Sequence, residues 1–291
     1  MTAAAAGTGA LALPGLLLRL AGPLQSWGEH SHFSDRDTLA FPSRSGITGM
    51  LAAALGRPRH APLDEFASLS ITVRVDRAGN RLRDFHTVGG GLSGAQTVVT
   101  ADGGRRTGDT TTLTSTRWYL QDAVFTVALT LTDRSTPPPT WATALSNPCW
   151  PLYLGRRSCP PAGPVLLGTS TDALHDLTHL PLATRADQYG QSSGAKQAAV
   201  PVLFLSDQPL PFGNPGPGED QGQGAQPHST VLDVPLDFTP GHRRYRTRPL
   251  YRRTLALPAS LQKGYGTQQL QALAAYASPS YTPAHEGSPA R

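Results

Sequence analysis

Arginine and aromatic side chains fall in tight groups along this chain of 291 residues, and those two types define the chemistry on offer. A guanidinium grips a phosphate through two parallel hydrogen bonds and stacks flat on a ring, while an aromatic face accepts an unpaired base. Six arginines, Arg243, Arg244, Arg246, Arg248, Arg252 and Arg253, crowd into eleven positions with Tyr245 and Tyr251 between them. Trp150, Tyr153, Arg156 and Arg157 form a second group beside Pro148, Pro151 and Pro160, whose restricted backbone lowers the entropic cost of presenting those planes. Arg117 with Trp118 and Tyr119 is a third. The fourth is a helix start, in which Pro42 and Ser43 precede Arg44 and Ser45. Free backbone N–H groups, the positive dipole end and a guanidinium converge there on a place suited to an anion. Each group also has a plainer reading: a basic strand facing solvent or acidic neighbours, a Trp and Tyr filling a core, or an Arg snorkelling past aromatics.

Other constellations carry less. Gly89, Gly91 and Gly94 satisfy G-x-G-x-x-G, but the residues that follow, 95–100, favour β structure where a dinucleotide site needs a helix. His175 and His179 stand four apart on one helix face, and His30 and His32 two apart, yet no Cys, Asp or Glu set completes a tetrahedral metal site beside either pair. Cys149 and Cys159 match no zinc or redox spacing and read as free thiols of a reducing compartment. No metal and no cofactor is expected.

The balance of charge points the same way as the arginine groups. The formal net charge is +5, and all but two of the 25 basic residues are arginine, the lysines being Lys196 and Lys263. A nucleotide bias towards GC accounts for much of that total and for the abundant Ala, Gly and Pro, so only the placement of the arginines is informative. No basic residue precedes Arg19, as a secretory signal would require, and no run approaches the ~18 apolar residues of a membrane span. A cytoplasmic protein with no membrane partner is expected.

These residues must be positioned by a mixed set of elements. Residues 13–20 form an apolar strand, and Ile47, Met50, Leu51, Ala54 and Leu55 follow helical spacing up to Gly56 and Pro58. Ile71, Val73 and Val75 alternate with Thr72, Arg74 and Asp76, which predicts a half-buried strand, and residues 123–131 alternate more clearly still. Between them, residues 81–116 are Gly- and Thr-rich and too poor in apolar side chains to hold a core. A short helix at 137–146 and a strand at 164–168 complete a strand, helix, strand, excursion, strand, helix, strand succession that suits a ferredoxin-like sheet with helices on one face. Strands at 200–205 and 251–257 flank a Pro-, Gly- and Gln-rich insertion at 209–228.

Four blocks, Leu18-Arg-Leu-Ala-Gly-Pro-Leu-Gln-Ser-Trp-Gly28, Asp84-Phe-His-Thr-Val88, Arg117-Trp-Tyr-Leu-Gln-Asp-Ala-Val-Phe-Thr-Val-Ala-Leu129 and Tyr153-Leu-Gly-Arg-Arg-Ser-Cys-Pro160, occur in an order that resembles the CasD family. That family is the RAMP-type subunit of the type I-E CRISPR surveillance complex, Cascade. The resemblance spans roughly the first half of the chain. Beyond the matched blocks, the residues themselves read as a smaller β-rich region over 169–258 and a loosely ordered tail over 259–291. The resemblance implies an α+β fold, a ferredoxin-like (RRM/RAMP-type) domain over 13–168 with residues 81–116 as a long β-hairpin thumb. It also implies a non-catalytic role, capping the 5′ handle of the CRISPR RNA. The residues it points to for RNA contact are Arg19, Gln25, Trp27, Arg44, Ser45, His86, Arg117, Tyr119, Trp150, Tyr153, Arg156 and Arg157. Its implied partners are a CasC-like backbone subunit, a CasA-like large subunit and target DNA near the PAM-proximal end. The alternative is a metal-independent endoribonuclease like subtype I-C relatives, with His86 and Tyr119 or Tyr153 as acid and base. Against it, both lysines lie outside the matched blocks.

Overall fold

The computed structural model describes residues 12–29, 34–100, 103–184, 199–210, 226–240 and 242–277. His30, His32, Lys196, most of the 209–228 insertion and the chain beyond 277 lie outside the described residues.

The first strand, β1 (Gly15–Ala21), is buried along its whole length, as is β7 (Val124–Leu131), its antiparallel neighbour. Strands buried on both faces need cover on both. On one side Leu16, Leu18, Leu20, Val127 and Leu129 meet α1 (Arg44–Ala54) and α2 (Pro139–Ser146). On the other, Leu17 and Ala128 meet α3 (Ala173–His179), in the cluster that also takes Leu273 of α4 (Thr267–Ala277). Helices therefore lie on both faces of the sheet, not one, because the alternate residues of the central strands are also apolar or small apart from Arg19.

Strands β4 (Leu69–Arg77) and β8 (Leu166–Ser170) flank this pair, giving the antiparallel order β8, β1, β7, β4. The connections β1–α1–β4 and β7–α2–β8 are the succession expected from the pattern. The C-terminal strands do not form a sheet of their own. β9 (Ala199–Ser206) pairs with β4, and β11 (Arg244–Pro258) and β10 (Ser229–Asp237) extend the sheet to seven strands.

β4 is also not half-buried. Arg74 and Asp76 are buried with a bidentate bond at 2.6 and 3.1 Å, and Arg74 donates to the carbonyls of Leu177, Leu180 and Pro181 at the end of α3. The polar side of the strand holds a helix terminus, where a guanidinium satisfies carbonyls that have no partner within the helix. Residues 259–277, expected to be loose, form a 3-10 turn and α4. The Tyr276 hydroxyl of α4 donates to Asp176 at 2.9 Å, and burial together with that bond pushes its pKa up to about 12.

The excursion is a β-hairpin, β5 (Asn80–Val88) paired antiparallel with β6 (Leu113–Gln121) from Asn80↔Gln121 to Val88↔Leu113. β5 is exposed or half-exposed throughout, so the hairpin stands clear of the core. Two short strands, β2 (Leu24–Gln25) and β3 (Asp35–Arg36), pair with the root of β6. Gly89 and Gly94 lie at the hairpin tip with positive φ, and the segment that follows is a 3-10 turn at Gly94–Gln96, so the glycine motif serves a turn.

Candidate nucleic-acid interface

The elbow 22–28 links β1 to α1, and its residues hold one another. Gln25 donates to the carbonyls of Leu20 and Ala123 at 3.1 and 2.9 Å and accepts the Trp27 indole N–H at 3.0 Å. Trp27 in turn lies against Gly46 of α1, where an added Cβ would stand 2.7 Å from the indole ring. The Ser26 hydroxyl donates to Trp118, and its N–H donates to Leu154, joining the elbow to the 153–159 loop. Gly155 sits at φ +89° there, and a Cβ on it would collide with the Ser26 carbonyl oxygen.

This arrangement leaves a groove of about 930 Å³ between the start of α1, the loop at 150–157 and the β10–β11 turn. Gly46 and Gly49 keep its floor on α1 low. Ser45, Trp150, Tyr153, Arg156 and Arg157 line it, together with Trp27. Arg36, Arg57, Arg59, Arg243 and Tyr245 line it too. Among the described residues, six guanidinium-bearing side chains thus line the groove with Glu29 as the single acidic one, a surface that suits a polyanion. Trp150 is 44 % exposed, enough to offer a face. Arg57 is held by Glu65 at 2.8 Å, whereas Arg36, Arg59, Arg157 and Arg243 carry no ion pair among the described residues.

Arg156 is different. Its guanidinium donates to the carbonyls of Trp118, Arg36 and Asp37 at 3.1, 2.9 and 3.2 Å and stacks 4.9 Å from the centre of the Tyr119 ring. It braces three segments of the groove wall. Tyr119 lies beneath it, buried, with its hydroxyl 3.4 Å from Ser158.

Five of the residues expected to contact RNA are corrected by their burial. Arg44 is 7 % exposed. Its guanidinium bonds Asp207 at 2.5 Å and the Phe66 carbonyl at 3.2 Å, and its backbone N–H donates to Asp233 at 2.7 Å. The anion at this helix start is supplied by the chain's own carboxylates, with Ser43 as the N-cap. Arg19 points to the opposite face of the sheet and donates to Gln269 at 3.2 Å. Gln25, Trp27 and Tyr119 are enclosed, the first fully, and only the edge of the Trp27 indole borders the groove. Burial lowers the pKa of both Arg19 and Arg44, partly offset by the charge of Asp76 for Arg19 and of Asp207 for Arg44.

His86 and Arg117 are on the hairpin. His86 pairs with Asp84, and Arg117, opposite Asp84 in the register, donates to Ser115 at 3.3 Å. Arg36, Arg57 and Arg59 are the groove residues that sequence reasoning missed. Arg36 is in a two-residue strand and Arg57 and Arg59 are in the loop after α1, none of them with a Trp, Tyr or Phe next to it in sequence to draw attention. His175 and His179 stack 4.1 Å apart, and among the described residues no three His, Cys, Asp or Glu side chains stand close enough to hold a metal. No helix of the described residues is long and apolar enough to cross a membrane.

The comparisons with known proteins agree with the blocks read in the sequence. Residues 15–251 match the family described as CRISPR-associated protein (Cas_Cas5). The CRISPR system Cascade subunit CasD of Escherichia coli (strain K12) is 38% identical over 166 residues, which are 53% of this chain and 70% of that protein. Among solved structures, a chain of a CRISPR RNA-guided surveillance complex superposes with a TM-score of 0.75 at 41% identity, covering 91% of this chain and 99% of that one. A Cas protein crystal structure follows with a TM-score of 0.52 at 28% identity, covering 87% and 99%. A family match over most of the chain, with a CasD relative at 38% identity over 70% of its own length, settles the family: the chain is a member of the CRISPR-associated Cas5 family, of the CasD type.

Proposed function

We propose that this chain is a non-catalytic subunit of a type I-E CRISPR surveillance complex and that its groove holds the single-stranded 5′ handle of the CRISPR RNA. The observation that carries this reading is the groove itself, where unpaired arginines stand beside the exposed Trp150 and the half-buried Tyr153 and Tyr245. Single-stranded RNA is held in this way, by phosphate contacts and by bases splayed onto rings and guanidinium planes. The hairpin extends the surface with His86 and Arg117, and its exposed Phe85 suits contact with RNA or a CasC-like backbone subunit. A CasA-like large subunit and target DNA near the PAM-proximal end complete the proposed assembly, in which base pairing by the guide reads the target.

The arrangement of titratable groups supports binding over cleavage. A metal-independent ribonuclease needs an acid and a base on either side of one phosphate. Here Tyr119 is buried under Arg156, Tyr153 lines the groove, and His86 is on the hairpin paired with Asp84.

The test is to co-express the chain with CasC-like and CasA-like partners and a CRISPR array, cross-link, and sequence the RNA held by this subunit. The expected outcome is enrichment of the 5′ handle at peptides containing residues 150–157, with precursor RNA left intact by the purified chain in EDTA. Repeat-specific cleavage abolished by His86→Ala would replace this reading with the enzymatic one.

A further inference from the structure

The arm that carries Arg243 and Tyr245 is only partly embedded in the sheet. β11 pairs with β9 from Tyr251 to Pro258, but its first half, Arg244–Leu250, pairs with β10 alone. A two-stranded hairpin is marginal by itself in water, so something must set its angle against the body.

We infer that Asp233 is the positioning residue that locks this arm to the start of α1 and so holds one wall of the groove in place. Asp233 is fully buried, at an irregularity in the β10 register between Leu232 and Val234. A bulge of this kind re-aims a side chain out of the strand's ordinary alternation. Its Oδ1 accepts Arg248 Nε at 2.7 Å, and its Oδ2 accepts Arg248 Nη2 at 2.9 Å and the Arg44 backbone N–H at 2.7 Å. Arg44 continues the chain of charge to Asp207, whose other oxygen accepts the Ser70 hydroxyl at 2.8 Å and the Ile71 N–H at 3.0 Å. One carboxylate thus ties both strands of the arm to the N-terminus of a helix 189 positions earlier, and through it to β4. Two lighter contacts flank it: Glu29 accepts the Leu232 N–H at 2.8 Å, and Phe238 lies over Gly49. The consequence is preorganisation. Arg243 and Tyr245 meet the ligand without the ordering cost of a free hairpin.

The inference rests on the reading of the groove as an RNA site, and its test separates the two. In the full-length chain, Asp233→Asn keeps the shape but removes the charge that grips Arg248. Hydrogen exchange of the amides in 229–250 is expected to rise at least tenfold, with β1 and β7 unchanged. Affinity for a fluorescent single-stranded RNA carrying the handle sequence is expected to fall by about as much as in Arg243→Ala/Tyr245→Ala. In that double background Asp233→Asn should add less than twofold, but on Arg157→Ala it should add its full effect. Unchanged exchange in 229–250, or a loss that adds in full to the arm variants, would overturn the inference. If the arm and Arg157 variants all bind RNA like the parent, the groove reading fails, and exchange still decides whether Asp233 is the latch. Should Asp233→Asn not fold, Arg248→Lys keeps the charge, loses the two-point grip and is expected to accelerate the same peptides.

Discussion

Arg44 and Arg157 carry the same side chain in opposite settings, and burial alone separates their roles. Arg44 is enclosed between Asp207 and Asp233, and Arg157 is exposed on the groove wall. Removing one partner of a buried ion pair leaves the other charge desolvated, at a cost of about 3–5 kcal/mol. Arg44→Ala should therefore lower the free energy of unfolding by an amount in that range, seen as a fall in the urea midpoint equal to that loss divided by the m-value. Arg157→Ala should leave the midpoint in place and weaken RNA binding, with Arg157→Lys recovering only part, since an ammonium lacks the planar fork. Urea unfolding and anisotropy on the same two proteins check both halves. The sequence could not rank these arginines, because Ser, Pro and Gly surround a buried helix start as readily as an exposed one. Gln25 and Trp27 were misleading for a related reason. The family resemblance points to both for RNA contact, and here the two groups satisfy each other inside the core.

Among the elements, those whose signal is periodic were legible. α1 begins after Pro42 and Ser43 as its spacing predicts, β7 follows its alternation, and the 81–116 excursion leaves the core because it lacks apolar side chains. β4 was misread because alternating Thr, Arg and Asp resemble a solvent face, whereas Arg74 is bound to the end of α3. The elbow and the 153–159 loop show a dependence that no local pattern reveals. Gly155 and Gly91 both have positive φ, +89° and +75°, yet a Cβ meets the Ser26 backbone at the first and open space at the second. Gly91→Ala should cost about 1–2 kcal/mol of local strain. Gly155→Ala must also displace the elbow, and a loss on the order of 3 kcal/mol or more is expected in thermal unfolding. Equal melting temperatures for the two variants would contradict the close approach of loop and elbow.

The molecule as a whole gathers charge from distant segments onto one face. Arg36, Arg59, Arg157 and Arg243 come from four different elements or loops and meet around the groove without acidic partners among the described residues. Each phosphate neutralised on a single strand contributes about −0.7 to the slope of log Kobs against log salt. Four such contacts give an expected slope near −3 for the full chain, falling by about 0.7 in magnitude for each of these arginines changed to Ala. A titration across salt concentrations measures it, and a flat dependence would mean that the groove does not meet phosphates.

Composition and pattern were sufficient for the mixed α+β class, the strand and helix succession and an excursion outside the core, and the contiguous blocks for the family and the hairpin that its resemblance implies, because each of these is written in neighbouring residues. Which arginines are bound internally and which are left open on the groove was decided only by the tertiary structure. Arg44 lies 163 positions from Asp207 and 189 from Asp233, and Arg156 braces backbone 38 and 120 positions away. A guanidinium binds an internal carboxylate or carbonyl with the same geometry it offers a phosphate, so its role depends on which acceptor the fold brings within reach, and that is set by long-range packing.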